Sequence, residues 1–168
     1  MSNPNHAVVL RALTEDDRAR YNEFLRQGVL AHPDTLRISP ADIAAASFKA
    51  EHGAEGTTFA AERAGQWLGI VTVEREQGRE KRRHIAWIFR MYVTESSAGA
   101  GVGRRLLRAA LGRARELSGV AKVNLTVAAD NARAVRLYES EGFRSFAREE
   151  DAFRDPTPRT ELSMTLRL

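Results

Sequence analysis

Cysteine is missing from this 168-residue sequence. That excludes disulfides, thiolate metal ligands and a cysteine nucleophile together, so any acyl chemistry must run by another route. Lysine is scarce too: Lys49, Lys81 and Lys122 stand alone, and arginine supplies the rest of the 26 basic residues. Against 22 acidic residues the net charge is +4, an excess that suits a nucleic acid and a small polyanion equally and selects neither. No apolar run nears the length of a membrane span, and the opening MSNPNHAVVLRAL has neither the basic start nor the apolar stretch of a secretory signal. A soluble, cytoplasmic protein with no membrane partner is expected. The histidines, His6, His32, His52 and His84, lack the close spacing of a metal site, and no metal is expected.

Repeats, low-complexity tracts and linker composition are also lacking, so one domain over residues 1–168 is expected. Its elements are read in order. A strand at Val8 to Arg11 precedes Thr14 and Asp17, an imperfect capping box that opens a helix through about Arg26. Ser39 and Pro40 start a second helix that His52 and Gly53 close. TTFAAERA and QWLGIVTVERE form a hairpin around Ala64 and Gly65, and REQGREKRRH is a charged tip leading into IAWIFRMYV. That last run, Ile85 to Val93, is apolar at both alternations and reads as a central strand buried on both sides, with Trp87, Phe89 and Met91 sharing a core face. A helix from about Val102 to Leu117, a strand KVNLTVA, a helix from about Asn131 to Ser140 and strands at FRSFARE and TELSMTLRL complete a mixed α/β sheet with one parallel crossover.

What the sequence does have is glycine at alternating positions before a helix: TESSAGAGVGRRLL, with Gly99, Gly101 and Gly103. Such a loop turns successive amides to one side, and the helix adds its own unpaired N–H groups and positive dipole end, making a cradle for phosphate. A dinucleotide fingerprint would need its third glycine where Arg104 stands, and a P-loop would need a following Lys-Ser or Lys-Thr pair. A flexible glycine loop without a ligand is the bland alternative.

MYVTESSAGAGVGRRLL resembles the acyl-CoA-binding motif of the GNAT superfamily of N-acetyltransferases, and LTVAADNARAVRLYESEGF is similar to its second hallmark, through Ala134, Leu137, Tyr138, Gly142 and Phe143. The element order agrees along essentially the whole chain. One departure is plain: Ala98 stands where the family usually has Arg or Gln. The resemblance implies a GNAT fold of the α/β (α+β) class, with a mixed, largely antiparallel central sheet splayed at the cofactor site and about four flanking helices. It implies acetyl-CoA as co-substrate, held by backbone of Met91 and Val93 and by Ala98, Gly99, Gly101, Val102, Gly103 and Arg104. Arg104 or Arg105 would replace the charge missing at Ala98, and Arg104 and Arg108 share a helical face suited to phosphates.

The resemblance further implies a direct transfer to a primary amine of a small molecule, amino acid or peptide N-terminus. Tyr138 would be the general acid beside the sulfur; otherwise it is an aromatic packed in a helix end. Asn131 binds the cofactor arm or caps its helix. Glu74 and His84 are the candidate bases, or else solvated strand-end residues. Arg90, charged within an apolar strand, recognises an acceptor carboxylate, forms a structural ion pair, or snorkels where the sheet splays. The stretch EEDAFRDPTPRT would edge the acceptor cleft or simply hold its charges in solvent. A non-catalytic acyl-CoA sensor is the alternative function; nucleic-acid binding is not expected, because the charged tip lacks interleaved aromatics. A homodimer is consistent with the resemblance.

Overall fold

The computed structural model describes residues 7–43 and 55–168. Its elements are β1 (Val9–Ala12), a 3-10 turn (Glu15–Asp17), α1 (Arg18–Ala31), α2 (Pro40–Ile43), β2 (Gly56–Arg63), β3 (Gln66–Arg75), β4 (Ile85–Val93), α3 (Val102–Glu116), β5 (Lys122–Ala128), α4 (Ala132–Ser140), β6 (Arg144–Asp155) and β7 (Thr157–Arg167). The seven strands form one sheet in the order β1-β2-β3-β4-β5-β7-β6. All neighbours are antiparallel except β4 and β5, which α3 joins as a parallel pair.

Each face of the sheet is covered by helix for a reason legible in side-chain spacing. Val102, Leu106, Ala110 and Ala114, with Leu107 and Leu111, form an apolar stripe on α3 that packs on Val71, Val73, Ala86, Ile88, Val123 and Leu125. On the opposite face Tyr21, Leu25 and Val29 of α1 pack on Ala60, Trp67 and Ile70. The Thr14–Asp17 box closes as the sequence predicts, with the Thr14 amide donating to Asp17 Oδ2 at 2.9 Å, but α1 continues past Arg26 to Ala31. Gly28 does not break the helix, because the Tyr92 ring occupies its face: an added Cβ would lie 2.8 Å from that ring. At the start of α2 the Ser39 amide and hydroxyl both donate to Asp42. The predicted closure of this helix at His52 and Gly53 lies outside the described residues.

Two departures from the expected strands shape the rest. Ile70 pairs with Tyr92 and Thr72 with Phe89, so Val71 faces both Arg90 and Met91, and Arg90 takes a left-handed φ of 49°. This β-bulge reverses the alternation of β4 beyond it. Trp87 and Phe89 therefore do not share a core face with Met91: Met91 and Val93 pack toward α3 and α4, while Phe89 is 39% exposed on the other side. Only the first half of β4 is buried as expected. At the far edge, β6 and β7 run through EEDAFRDPTPRT and turn at Pro156, so this stretch is a paired hairpin and not a loop.

Candidate active site

β4 and β5 stay paired for three positions, Ile85 with Lys122, Ala86 with Val123 and Trp87 with Asn124, and then part. The backbone of β4 past its bulge is thereby left without a β5 partner, and the glycine loop follows immediately. In that loop the amides of Ser97, Ala98 and Ala100 are used by its own turns, donating to Thr94, Glu95 and Ser97. Gly99 and Gly101 have φ of 79° and 76°, and a side chain on either would project into open space. Gly101 caps α3, whose first bond to it runs from the Arg105 amide, so the amides ahead of Arg105 have no helical acceptor. Gly103 has another role: its Cβ would sit 3.3 Å from Leu137 Cδ2 and from Met91 Cε, so it lets α3 pack closely on α4 and β4.

Tyr138 lies where these elements meet, 6% exposed, its ring edge-on to Phe143 at 5.9 Å. Its hydroxyl donates to Met91 Sδ at 3.6 Å, and burial pushes the phenol up to about 12. Asn131 caps α4, its Oδ1 accepting from the Ala134 amide at 3.2 Å. Arg104 and Arg108 both pair with Glu141, at 2.5 and 2.9 Å, and Arg105 donates to the Val8 carbonyl.

Across the sheet, on the α1 face, a cleft of about 380 Å³ opens over β3, β4 and β5. Trp87 and Phe89 stack along it at 6.5 Å and 14°. The indole N–H donates to Glu76 at 2.9 Å, and the Arg82 guanidinium bonded to Glu76 holds that carboxyl down at about 2. Glu74, 9% exposed and in register with Trp87, lines the cleft with Thr126 and Arg37. His84 does not join it. It lies exposed in the turn before β4, its carbonyl bonded to the Ala121 and Lys122 amides. The bulge puts Arg90 beside the buried Tyr21 hydroxyl of α1; burial raises that phenol against the opposing guanidinium.

Sequence reasoning missed Arg37 and Glu161. Arg37 Nη1 bonds Glu161 Oε1 at 2.8 Å, and Glu161 is 5% exposed on β7. A signal was present: TELSMTLRL alternates, with Leu162, Met164 and Leu166 turned to the α3 side and Glu161, Ser163 and Thr165 to the other. Among the described residues no group of acidic and histidine side chains is placed to hold a metal ion, and no helix is long and apolar enough to cross a membrane.

A parted parallel strand pair thus stands beside an amide-rich helix start, with a cleft on the opposite face of the sheet. The model of the acetyltransferase (GNAT) family matches residues 17–143, and the chain belongs to that family. It is 22% identical over 139 residues to a spermine/spermidine N(1)-acetyltransferase of Bacillus subtilis (strain 168), covering 82% of this chain and 88% of that one. In fold it is similar to a GCN5-related N-acetyltransferase from Kribbella flavida, with a TM-score of 0.82, 24% identity and coverage of 96% and 98%. It is likewise similar to a putative acetyltransferase from Salmonella typhimurium solved with its cofactor acetyl-CoA, with a TM-score of 0.80, 20% identity and coverage of 96% and 94%.

Proposed function

We propose that this acetyltransferase moves the acetyl group of acetyl-CoA directly to a primary amine of a small molecule, amino acid or peptide N-terminus. The observation that carries the reading is the parting of β4 from β5 beside the open, left-handed glycines of the α3 start. Met91 and Val93 would pair their backbone with the pantetheine arm as an added strand. The amides of Val102, Gly103 and Arg104 would hold the pyrophosphate, with Gly99 and Gly101 keeping its approach free of side chains. Ala98 offers no charge, so Arg104 would contribute one by loosening from Glu141. Arg104→Ala should then weaken acetyl-CoA binding, and unchanged affinity would remove that role.

Tyr138, protonated throughout the neutral range, would supply the proton that the leaving thiolate needs. Asn131 would keep α4 aligned for this. The amine would enter by the Trp87–Phe89 cleft, where Glu74 is a candidate proton acceptor and Arg90 is set back beneath α1. The absence of cysteine agrees with direct transfer. Because the B. subtilis relative is named for spermine and spermidine, polyamines belong in the first acceptor panel.

The test is calorimetric titration of acetyl-CoA into the parent and Gly101→Asp. Binding by the parent, lost when a carboxylate projects into the cradle, is expected. A folded parent that does not bind would overturn the reading. Release of CoA to a thiol-reactive dye, free of background in a protein without thiols, then reports turnover and separates an enzyme from an acyl-CoA sensor.

A further inference from the structure

Glu161 is a buried carboxylate next to the cleft, bonded to Arg37 and Thr126, two residues that line it. Its place follows from strand register: β5 and β7 pair from Lys122 with Arg167 to Ala128 with Glu161, which puts Glu161 on the same face as Asn124 and Thr126. Asn124 is the last β5 residue paired with β4, so Thr126 and Glu161 stand where the two strands have begun to part. Burying a carboxylate costs stability unless it is paired, and an apolar residue on β7 would avoid the cost. The partner, Arg37, reaches in from the α1–α2 connection with its side chain 53% exposed, so it is a pairing that solvent can replace.

We propose that Glu161 is the proton acceptor for the amine substrate, with Arg37 as its positioning residue. The inference rests on the transferase reading above. An alkylammonium, with an ordinary pKa near 10.4, loses two protons in becoming an amide. One passes from the nitrogen to the Glu161 carboxylate and on to water. The freed nitrogen pair bonds the acyl carbon, the C–S bond breaks, and the thiolate takes a proton from Tyr138. Tyr138 recovers it from the second nitrogen proton through solvent, so the sum is amide, thiol and one proton released.

The surroundings suit a proton acceptor that must also let its proton go. Burial raises the carboxyl above the ordinary carboxylate range, Arg37 and the Thr126 hydroxyl oppose this, and Glu149 of β6 adds to it. Arg159, on the same strand and in phase, is committed to Asp130 at 2.6 Å and Asp34 at 3.6 Å. Glu74 flanks the opening from β3, so the two carboxylates are competitors for one role and can be compared directly.

The experiment uses Glu161→Gln, Glu161→Asp and Glu74→Gln in the full chain. The acceptors are spermidine and 2-phenylethylamine, protonated at neutral pH, and phenylhydrazine, which is neutral there. Calorimetry with acetyl-CoA and a thermal melt accompany each variant. Glu161→Gln should lose on the order of 100-fold in kcat/KM with the protonated amines. Its acetyl-CoA affinity should stay within about twofold, and its deficit should shrink to under about tenfold with phenylhydrazine. The acid limb of the parent's pH profile should vanish in that variant, and Glu161→Asp should restore part of the rate. An equal deficit with all three amines, an unaltered pH limb, or this pattern in Glu74→Gln would overturn the proposal. So would a parent that binds acetyl-CoA and acetylates none of them. A parent that does not bind acetyl-CoA fails at the earlier reading, and its melt and calorimetry show that separately.

Discussion

The Tyr138 hydroxyl donates to the sulfur of Met91 at 3.6 Å, tying the end of α4 to β4 just beyond its bulge. Without the bulge Met91 would face the opposite side of the sheet, and the phenol would have no neighbour there. The bond lies in the stretch of β4 beyond Trp87 that has no β5 partner, and on the function proposed above the phenol would there meet the leaving sulfur. Replacing Tyr138 by Phe keeps the edge contact with Phe143 and removes only the hydroxyl. The expected result is a fall in kcat of about 100-fold to 10,000-fold. Acetyl-CoA affinity should be nearly kept, and stability should change by about 1 kcal/mol or less, since one weak hydrogen bond is lost. Steady-state rates and calorimetry on the same preparation check it.

Asp17 makes the fold sensitive to acid at one identifiable point. Its carboxylate accepts from both Arg11 guanidinium nitrogens at 2.8 and 2.9 Å and from the Thr14 amide. Arg11 is the largest cause of a carboxyl pKa lowered to about 2, with burial working against it. A depressed folded-state pKa stabilises the protein above the ordinary carboxylate value and ceases to do so as pH falls through about 2. Asp17→Asn should therefore cost about 1–2 kcal/mol at neutral pH, allowing for the solvent exposure of Arg11. The difference from the parent should close between about pH 4 and pH 2. Urea unfolding across that range measures it.

Much of the fold is legible because local chemistry and tertiary structure agree. Ala64 and Gly65 adopt the positive φ values of 49° and 78° that a tight hairpin turn requires, Asn131 caps α4, and Gly101 opens α3. Where the chain serves a distant partner, the reading fails. The helix expected to end at about Arg26 runs on through Gly28, which seats the ring of Tyr92 from the distant strand β4. The bulge at Arg90 leaves no mark in the alternation of IAWIFRMYV, because apolar residues fill both phases, yet it decides which side chains meet the cleft. The alternation of TELSMTLRL marks the face that Glu161 takes, but its burial beside Thr126 depends on the pairing of β7 with β5. The glycine loop and the helix cap at Asn131 lie in short local sequence and could be read there, whereas a cleft assembled from β3, β4, β5 and the α1–α2 connection could not.

Gly101 and Gly103 stand two residues apart and should respond differently to alanine. At Gly101 a Cβ meets open space, but φ is 76°, where an alanine costs roughly 1–2 kcal/mol in strain. At Gly103 the backbone is helical and the tight contacts, at 3.3 Å, are the mobile ends of Leu137 and Met91. There the gain in helix propensity, about 1 kcal/mol, should offset a small displacement. Gly101→Ala should thus lower the melting temperature while Gly103→Ala leaves it nearly unchanged. Gly103→Ala should instead be felt in turnover, because Met91 moves against Tyr138. Thermal melts paired with rates separate the two, and equal destabilisation by both would refute the contrast.

Phe89 is a large apolar side chain left 39% exposed in the middle of a sheet, and its neighbours hold it ready for a contact. Trp87 stacks on it, the Trp87 indole is anchored by Glu76, and Glu76 is gripped by Arg82, so the aromatic wall is held in place by its own neighbours. If the non-reacting part of the acceptor lies against it, Phe89→Ala removes contact area worth about 1–2 kcal/mol. That raises the acceptor KM by roughly 5-fold to 30-fold. Acetyl-CoA affinity should not change, because Phe89 faces away from α3, and stability should change little for a side chain already partly exposed. An acceptor KM that holds steady while acetyl-CoA binding weakens would place the wall on the wrong substrate, and the cleft with it.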